Sequence, residues 1–540
     1  MACHEHLLRW NYQKAKAGRF FKEPEKWKAL RFILRKPNSG FKMKKQLTAL
    51  VFMVTLALPV LAQKSNSSVQ IFETAANGNK LATIKEVAVA SDAISISIHP
   101  EKKFQTITGF GGSFTEASAS LLNRLSAANR DLILKAYFGK EGADYTLTRT
   151  HINSCDFSLK NYAYANVPGD KKLENFSIDE DRNDLIPMIK AAQKISKDGF
   201  KIIASPWTAP PWMKDNNDWR GGKLLPEYRE TWALYFSRYI REYQKEGIDI
   251  WGITVENEPL GNDKNWESMH FTPEEMTGFV QDYLGPHLEK EGLGQIKILG
   301  FDQNRGEELE KWADVMYKNK ETSKYFDGMA IHWYASTYDY FPASLQHTHK
   351  RAPDKHLINT EACVDGQVPA WQNDAWYWKP EAKDWGWTWA PENQKYLHPK
   401  YEPVFRYARD IIGCLNNHVD GWIDWNMVLD KQGGPNWFKN WCTAPVIVDP
   451  EKDEVYFTPL FYTLSHFSKF IRPGAVRIEL SNPDSELMTT AVQNKDGSIA
   501  IVLFNPAEKE KNIRLGLSNR SVGTRISAKA IQTILIKLPN

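Results

Sequence analysis

Residues 249–259 have the sequence Asp-Ile-Trp-Gly-Ile-Thr-Val-Glu-Asn-Glu-Pro, in which an apolar, β-branched run ends at acidic and amide side chains. A run of this composition and length predicts a buried β-strand over residues 249–255. Amphipathic helical patterns flank it, at 226–246 before the strand and at 273–288 after it. Helices on both sides of a buried strand favour a parallel sheet of the α/β class.

The same unit of strand and helix recurs throughout residues 105–430. Further helical patterns cover 181–197 and 403–416. Eight strands that alternate with helices are typical of a (β/α)8 TIM barrel, which we expect over residues 105–473. The eight predicted strands are 106–110, 145–150, 201–205, 249–255, 296–300, 327–333, 356–360 and 421–425.

The two ends of the chain are rich in predicted strands instead. In the segment 94–98, isoleucines alternate with serines, which predicts a strand with one buried face. The tetrapeptide Asn-Lys-Asp-Gly at 494–497 predicts a hairpin turn. Neither end has enough strands for a stable sheet, so we expect residues 63–104 and 474–540 to combine into one small β-sandwich. Its predicted strands are 69–71, 85–89, 94–98, 476–480, 488–492, 499–504, 512–515 and 531–536.

The positive charge of the chain is concentrated in residues 1–62, which contain 13 Lys and Arg but 3 Asp and Glu. The other residues carry 56 basic and 62 acidic side chains, a balance that predicts no nucleic-acid partner and no anionic membrane partner. Lys44, Lys45 and the apolar run 47–58 predict a signal peptide over 43–62. We therefore expect an exported protein (periplasmic, cell-surface or secreted) without a transmembrane segment. A membrane anchor or a buried first helix is the alternative for this run.

Four cysteines follow this leader, namely Cys155, Cys363, Cys414 and Cys442. So few cysteines in so long a chain do not form a disulfide framework, although one or two bridges are compatible with the count. The sequence contains neither a CxxC nor an HExxH motif. We therefore expect no metal and no other cofactor.

Two glutamates stand at predicted strand ends, where the active site of such a barrel forms. Glu258 follows the fourth strand, and Glu361 follows the seventh. Glycoside hydrolysis needs one protonated carboxyl to assist the leaving oxygen and one carboxylate to attack the anomeric carbon, about 5 Å apart when configuration is retained. We expect Glu258 to be the acid/base, with an extended backbone because Pro259 follows it, and Glu361 to be the nucleophile. Glu256 on the same strand is an alternative acid.

Seven longer sequence motifs resemble those of the glucosylceramidase family of retaining glycoside hydrolases, glycoside hydrolase family 30. The similarity runs in register over roughly residues 105–475. It implies the barrel, the flanking β-sandwich and a glycosidase activity that needs no cofactor. The motifs are GFGGSFTE (109–116), SCDFS (154–158), ASPWT (204–208), IHWY (331–334), TEACV (360–364), GGPNW (433–437) and HFSKF (466–470).

The resemblance also implies roles for individual residues. Glu258 matches the acid/base of the family, and Glu361 matches its nucleophile. Without the resemblance, an aromatic residue at these positions is equally consistent with core packing, Arg149 with a barrel salt bridge and Asp156 with a loop cap. The positions implied to bind the sugar or to support the nucleophile are Arg149, Asp156, Trp207, Asn257, His332, Tyr334, Trp425 and Asn436.

Two features differ from the family pattern, and a third has to be distinguished from a nucleotide-binding site. Glu116 stands where the family has Asp, and we expect it near the pocket, either in contact with sugar or supporting residues that are. Six tryptophans lie between Trp371 and Trp389, after the seventh strand. They indicate either a platform for further sugars or a lipid, or a self-packed aromatic lid. The Gly-rich run 109–112 does not fit the nucleotide-binding pattern and predicts a tight turn that lets the backbone approach the sugar.

These features together predict hydrolysis of a terminal or internal β-glucoside with retention of configuration. We expect the substrate to be glucosylceramide or a related β-glucoside, and a β-1,6-glucan is the second candidate. A sugar-binding protein without catalysis is a hypothesis of another class. The presence of both Glu258 and Glu361 argues against it.

Overall fold

The structure is a computed structural model that describes residues 68–336, 338–365, 374–378, 402–517 and 520–537. The predicted leader, 1–62, and its signal peptide lie outside the described residues. Within the described part of the chain, every helix is too short or too polar to cross a lipid bilayer.

Eight parallel strands close into a barrel in the order in which they occur along the chain. The last strand pairs with the first, with Gly421 opposite Gly109. The predicted (β/α)8 barrel is therefore confirmed. Barrel strands one to eight are Gly109–Phe114, Leu147–Ile152, Lys201–Pro206, Gly252–Thr254, Lys297–Asn304, Gly328–His332, His356–Glu361 and Gly421–Asn426.

The Gly-rich run forms the first barrel strand, so the prediction of a tight turn there is wrong. The predicted strand 106–110 began too early, because Thr106 still belongs to a sandwich strand, Ile94–Thr106. All residues of Gly109–Phe114 are buried. A Cβ atom on Gly111 would lie 1.9 Å from the carbonyl oxygen of Leu147. Glycine is therefore required because barrel strands one and two approach closely, and not because a sugar does.

Helices surround the barrel and bury one face against it. The predicted helix 403–416 has the bounds expected, whereas 181–197 contains a 3₁₀ turn, Asp181–Asn183, before its α-helix. A π-helical segment, Val280–Leu284, joins two of the helices. The α-helices are Glu116–Arg124, Ala127–Phe138, Leu185–Ile195, Arg229–Lys245, Pro273–Phe279, Gly285–Lys290, Glu307–Met316, Pro342–Arg351, Pro403–Asn416 and Pro459–Ser468.

Apolar side chains from several strands fill the interior of the barrel. Leu147, Ile203, Leu299, Ala330 and Ile358 are fully buried and contact one another in one cluster. Such a layer closes the barrel as a packed core, so a ligand site forms above it, at the ends of the strands.

Besides five short strands that form two smaller sheets, nine further strands of the described residues form one sheet that combines both flanks of the barrel. Its isoleucines pack together from distant strands, as Ile71, Ile96, Ile501 and Ile534 do, which confirms the predicted β-sandwich. The predicted strand 85–89 is wrong. The strands are Ser68–Ala75, Ala82–Ile84, Ile94–Thr106, Val476–Ser481, Met488–Gln493, Ile499–Asn505, Lys511–Leu517, Arg520–Ile526 and Ala530–Lys537.

His466 connects the barrel to the sandwich. It lies in the last barrel helix, Pro459–Ser468, and is fully buried. Its Nδ1 is 2.9 Å from Oγ1 of Thr533, and its Nε2 is 3.0 Å from Oγ1 of Thr74. A neutral imidazole, with one donor and one acceptor nitrogen, satisfies both hydroxyls. Burial lowers the pKa of His466 to about 3, so the folded protein keeps this ring neutral.

This buried ring predicts an acid-sensitive stability. Below about pH 6.5, His466 is protonated in the unfolded chain but stays neutral in the folded protein. Each pH unit of acidification, down to about pH 3, therefore lowers the free energy of unfolding by up to about 1.4 kcal/mol. Urea unfolding of wild type and His466→Gln at pH 7 and pH 5 measures this effect. We expect the variant to lose about 1–2 kcal/mol less than wild type between these pH values. Equal losses would contradict the assignment.

Candidate active site

A cavity of about 500 Å³ opens at the carboxyl ends of the barrel strands. Asp156, Asn257, Glu258 and Glu361 line it, as the sequence predicted. A carboxylate oxygen of Glu258 and one of Glu361 lie within 4.8 Å of each other. This separation is close to the value of about 5–5.5 Å that allows one carboxylate to attack a sugar while the other protonates its leaving group, and well below the roughly 6.5–9.5 Å of inverting enzymes.

Arg149 connects the ends of four other strands from the middle of the barrel. It lies on barrel strand two with no exposed surface. Its guanidinium donates to Glu361 Oε2, to Asn257 Oδ1 at 2.8 Å, to Asp302 Oδ2 at 2.7 Å and to Ser205 Oγ at 2.9 Å. Arg149 does not line the cavity, so it contacts Glu361 from behind.

His332 bridges the acid/base candidate to Asp302. Its Nδ1 is 3.1 Å from Glu258 Oε1, and its Nε2 is 3.0 Å from Asp302 Oδ1. Burial lowers the pKa of His332, but the carboxylates of Glu361 and Asp302 outweigh burial and raise this pKa to about 9. Burial likewise opposes ionisation of Asp302, yet Arg149 and His332 hold its pKa well below the usual range. His332 is therefore an imidazolium that donates from both nitrogens.

The two glutamates differ in their hydrogen bonds. Glu361 accepts one bond from Arg149 at Oε2 and one from the Tyr334 hydroxyl, 2.9 Å from Oε1. Burial raises the pKa of the Glu361 carboxyl, His332 and Arg149 oppose the shift, and Glu258 adds to it. Hydrogen bonds to both oxygens of Glu361 favour its ionised form, which a nucleophile requires.

The backbone of Glu258 is left-handed, with φ of 47°, so the predicted extended conformation is wrong. Two backbone hydrogen bonds impose this geometry. The N–H of Glu258 donates to the carbonyl of Asp302 at 2.9 Å, and the N–H of Gly261 donates to the carbonyl of Glu258 at 2.7 Å. A non-glycine residue in this region costs about 1–3 kcal/mol, which the surrounding bonds offset.

Glu256, the alternative acid, does not line the cavity. Its side chain is fully buried, and neither carboxylate oxygen has a hydrogen-bond partner among the described residues. Burial raises the pKa of Glu256 well above the usual range. Without access to the cavity it cannot protonate a substrate there, so Glu258 is the acid candidate that the geometry favours.

Aromatic rings form the wall of the cavity beside the glutamates. Trp207 and Trp425 stack with ring centres 5.1 Å apart, and both line the cavity, as does Tyr334. The Arg149 guanidinium lies 4.8 Å from the ring centre of Trp207. Trp266, which the sequence did not single out, also lines the cavity and is only partly buried. These faces suit stacking against sugar rings.

Asn440, rather than Asn436, reaches the cavity. Asn440 lines it and donates from Nδ2 to Asp156 Oδ2 at 3.1 Å. The Asn436 side chain instead accepts from the backbone N–H groups of Phe438 and Asn440, at 2.9 and 3.2 Å, and so shapes the loop. Burial raises the pKa of Asp156 well above the usual range, and the charge of Glu361 adds to the shift. A protonated Asp156 can donate to a sugar hydroxyl as well as accept from one.

Glu116 lies outside the cavity lining. Its Oε2 accepts a hydrogen bond from the backbone N–H of Leu159 at 3.1 Å. Leu159 follows Asp156 in the same loop, so Glu116 supports a loop that carries a cavity residue. The structure therefore favours the supporting role over sugar contact.

Two of the six loop tryptophans, Trp376 and Trp378, fall within the described residues. Trp378 is buried, 6.0 Å between ring centres from Phe405, and its carbonyl accepts from Lys529 Nζ at 3.2 Å. Trp378 therefore packs on a barrel helix and the sandwich and does not form a sugar platform. The other four tryptophans lie outside the described residues.

Glu258, His332 and Glu361 are near enough to one another to be considered as a cation site. Their hydrogen bonds argue otherwise. Both ring nitrogens of His332 face carboxylates, and both oxygens of Glu361 accept from Arg149 and Tyr334. Each of these contacts would have to break for a metal to bind, and Arg149 already supplies positive charge. The donor set fits proton transfer better than metal ligation.

Sequence reasoning missed two residues at the end of barrel strand five. The predicted strand, 296–300, stopped short of the observed one, Lys297–Asn304. Asp302 accepts from Arg149, His332 and Thr360, and Asn304 lines the cavity. The polar residues after Gly300 could have indicated these two positions, because polar side chains at the end of a barrel strand are candidates for the active site.

Comparison with known families agrees with this geometry. Residues 107–379 and 390–471 match the model of the glycosyl hydrolase family 30 TIM-barrel domain. Residues 474–534 match the model of the glycosyl hydrolase family 30 β-sandwich domain. The two models together cover most of the chain.

Individual proteins are similar to this chain over most of its length. Lysosomal acid glucosylceramidase of Mus musculus is 36% identical over 438 residues, which cover 79% of this chain and 80% of that protein. The crystal structure of SrfJ from Salmonella typhimurium superposes with a TM-score of 0.75 at 30% identity, covering 86% of this chain and 99% of that one. An endo-β1,6-glucanase superposes with a TM-score of 0.74 at 28% identity, with the same coverage. The chain therefore belongs to glycosyl hydrolase family 30, and it is a glycosidase.

Proposed function

We propose that this chain hydrolyses β-glucosides with retention of configuration, with Glu361 as nucleophile and Glu258 as acid/base. The observation that carries the proposal is the approach of their carboxylate oxygens to within 4.8 Å inside the cavity. An inverting enzyme needs about 6.5–9.5 Å between its carboxyl groups, to admit a water molecule. The separation therefore supports direct attack by the nucleophile.

The proposed reaction has two steps. Glu361 attacks the anomeric carbon while the proton of Glu258 moves to the leaving oxygen, which gives a glycosyl-enzyme and a free aglycone. Glu258, now a carboxylate, takes a proton from water, and that water displaces Glu361 with restored configuration. Arg149 and His332 stabilise the negative charge that alternates between the two glutamates.

Two substrate classes compete. Glucosylceramide or a related glycolipid is favoured by the curated relatives named glucosylceramidase, which are 33–36% identical to this chain. A β-1,6-glucan is favoured by the structural similarity to an endo-β1,6-glucanase. A sugar-binding protein without catalysis is disfavoured, because binding alone gives no reason to hold two carboxyl groups in contact with a buried arginine and histidine.

Replacing each glutamate by alanine should separate their roles. We expect kcat on an aryl β-glucoside to fall at least about 10⁴-fold for Glu361→Ala, because the covalent step is lost. Azide should rescue Glu361→Ala as an α-glycosyl azide and Glu258→Ala as a β-glycosyl azide, which NMR distinguishes. Glu256→Gln is the matched control and should keep kcat within about threefold. The same azide anomer from both variants would refute the assignment.

Arg149→Gln should shift the pH dependence of hydrolysis. Arg149 lowers the pKa of Glu361, so its loss raises that pKa and moves the acid limb of kcat/KM to higher pH. We also expect kcat to fall about 100-fold. Ser205→Ala is the control, because it removes one contact of Arg149 and leaves the charge in place. An acid limb that stays at the wild-type pH in Arg149→Gln would show that Arg149 does not act on the nucleophile.

A substrate panel should decide the aglycone. Glucosylceramide, β-1,6-glucan, an aryl β-glucoside and an aryl β-xyloside are assayed side by side, with product lengths recorded. We expect hydrolysis of the aryl β-glucoside and release of glucose from glucosylceramide. Oligosaccharides from β-1,6-glucan, with no glucose from glucosylceramide, would select the second candidate. Glu361→Gln measures the background.

A further inference from the structure

Two cysteine sulfurs meet in the wall of the active-site cavity. Sγ of Cys363 lies 3.1 Å from Sγ of Cys442. A disulfide bond is about 2.05 Å long, so the two sulfurs are about 1 Å from bonding distance. We propose that Cys363 and Cys442 form a reversible disulfide that lowers the turnover of the enzyme. The effect on turnover rests on the proposed function, whereas formation of the bond does not.

The backbone next to these cysteines lies in two paired strands. Val364–Asp365, directly after Cys363, pairs with Cys442–Thr443 in an antiparallel ladder, with Asp365 opposite Cys442. Cys363 is therefore a diagonal neighbour of Cys442 across the ladder. Diagonal neighbours lie about 7–8 Å apart, whereas a disulfide joins Cα atoms about 4.4–6.8 Å apart. Closure therefore needs side-chain rotation and a small movement that brings the two backbone segments together.

A small oxidant reaches the pair through the cavity. Cys442 lines the cavity. Cys363 contacts Cys442, and 1% of the surface of Cys363 is exposed. Hydrogen peroxide is smaller than a sugar, so it can enter wherever the substrate does. Cys414 differs, since it is buried elsewhere, where its sulfur accepts a hydrogen bond from Arg305 Nη1 at 2.7 Å. It provides an internal comparison within the same molecule.

The proposed oxidant is a peroxide. The sulfur of Cys442 attacks one peroxide oxygen, the O–O bond breaks, and a sulfenic acid and one water form. The sulfur of Cys363 then displaces the hydroxyl group from the sulfenic sulfur as a second water, and the S–S bond forms. The two thiols lose two electrons and two protons, and hydrogen peroxide becomes two waters. A dithiol reductant reverses the bond by exchange.

Tyr334 connects this bond to catalysis. Its hydroxyl lies 3.5 Å from Sγ of Cys363 and donates to Oε1 of Glu361 at 2.9 Å. Formation of the disulfide draws Cys363 toward Cys442 and changes the surroundings of the hydroxyl that holds the nucleophile. Small displacements of catalytic groups lower rates strongly, and we expect about a tenfold lower kcat in the oxidised enzyme.

Peptide mapping tests the bond itself. The purified full-length protein is reduced, exposed to graded hydrogen peroxide, unfolded, alkylated and digested for mass spectrometry. We expect the peptides that contain Cys363 and Cys442 to be recovered as one linked species, while Cys414 is alkylated in the same sample. Dithiothreitol should restore two alkylated cysteines. Recovery of Cys363 and Cys442 unlinked at every peroxide concentration overturns the proposal.

Kinetics test the consequence of the bond. Turnover of an aryl β-glucoside is compared before and after peroxide in wild type, Cys442→Val and Cys442→Ser. We expect the roughly tenfold loss, and its reversal by dithiothreitol, in wild type alone. A linked enzyme with unchanged kcat also overturns the proposal. Because the linked peptide is detected without substrate, failure to hydrolyse any β-glucoside would count against the proposed function and not against the disulfide.

Discussion

The guanidinium of Arg149 is buried without solvent contact and donates hydrogen bonds to side chains at the ends of barrel strands three, four, five and seven. A buried cation is costly unless carboxylates and hydrogen bonds compensate it. Asp302 and Glu361 supply the charge, and Ser205 and Asn257 complete the donors. Moving any of these strand ends would leave part of the guanidinium unpaired, so the arginine fixes their mutual positions.

The charges around Arg149 compensate one another. Arg149 and His332 are cations and Asp302 is an anion, so the site as a whole is neutral when the two glutamates together carry one negative charge. Asp302 contributes to this balance without lining the cavity. It keeps His332 charged, and His332 in turn contacts Glu258. A buried carboxylate thus acts on the reaction through a neighbouring imidazolium.

The barrel was predictable because its signal is periodic, and the helix Pro403–Asn416 was located without error from it. The positions of Glu258 and Glu361 followed from the same pattern, since strand ends define the site. Predictions from local sequence preferences failed where tertiary contacts override those preferences. The preference that a following proline imposes on Glu258 yields to hydrogen bonds with Asp302 and Gly261. Composition likewise cannot tell a glycine needed for a turn from one needed for close strand packing, as at Gly111.

The first and last strands of the described chain, Ser68–Ala75 and Ala530–Lys537, are direct neighbours in the sandwich sheet. During synthesis on the ribosome, the earlier strand emerges long before its partner exists. Its hydrogen-bonding edge stays unpaired and its apolar face stays exposed until translation is nearly finished. A prematurely terminated polypeptide would therefore keep an open, adhesive edge, by which cellular proteases and chaperones could distinguish it from the finished enzyme.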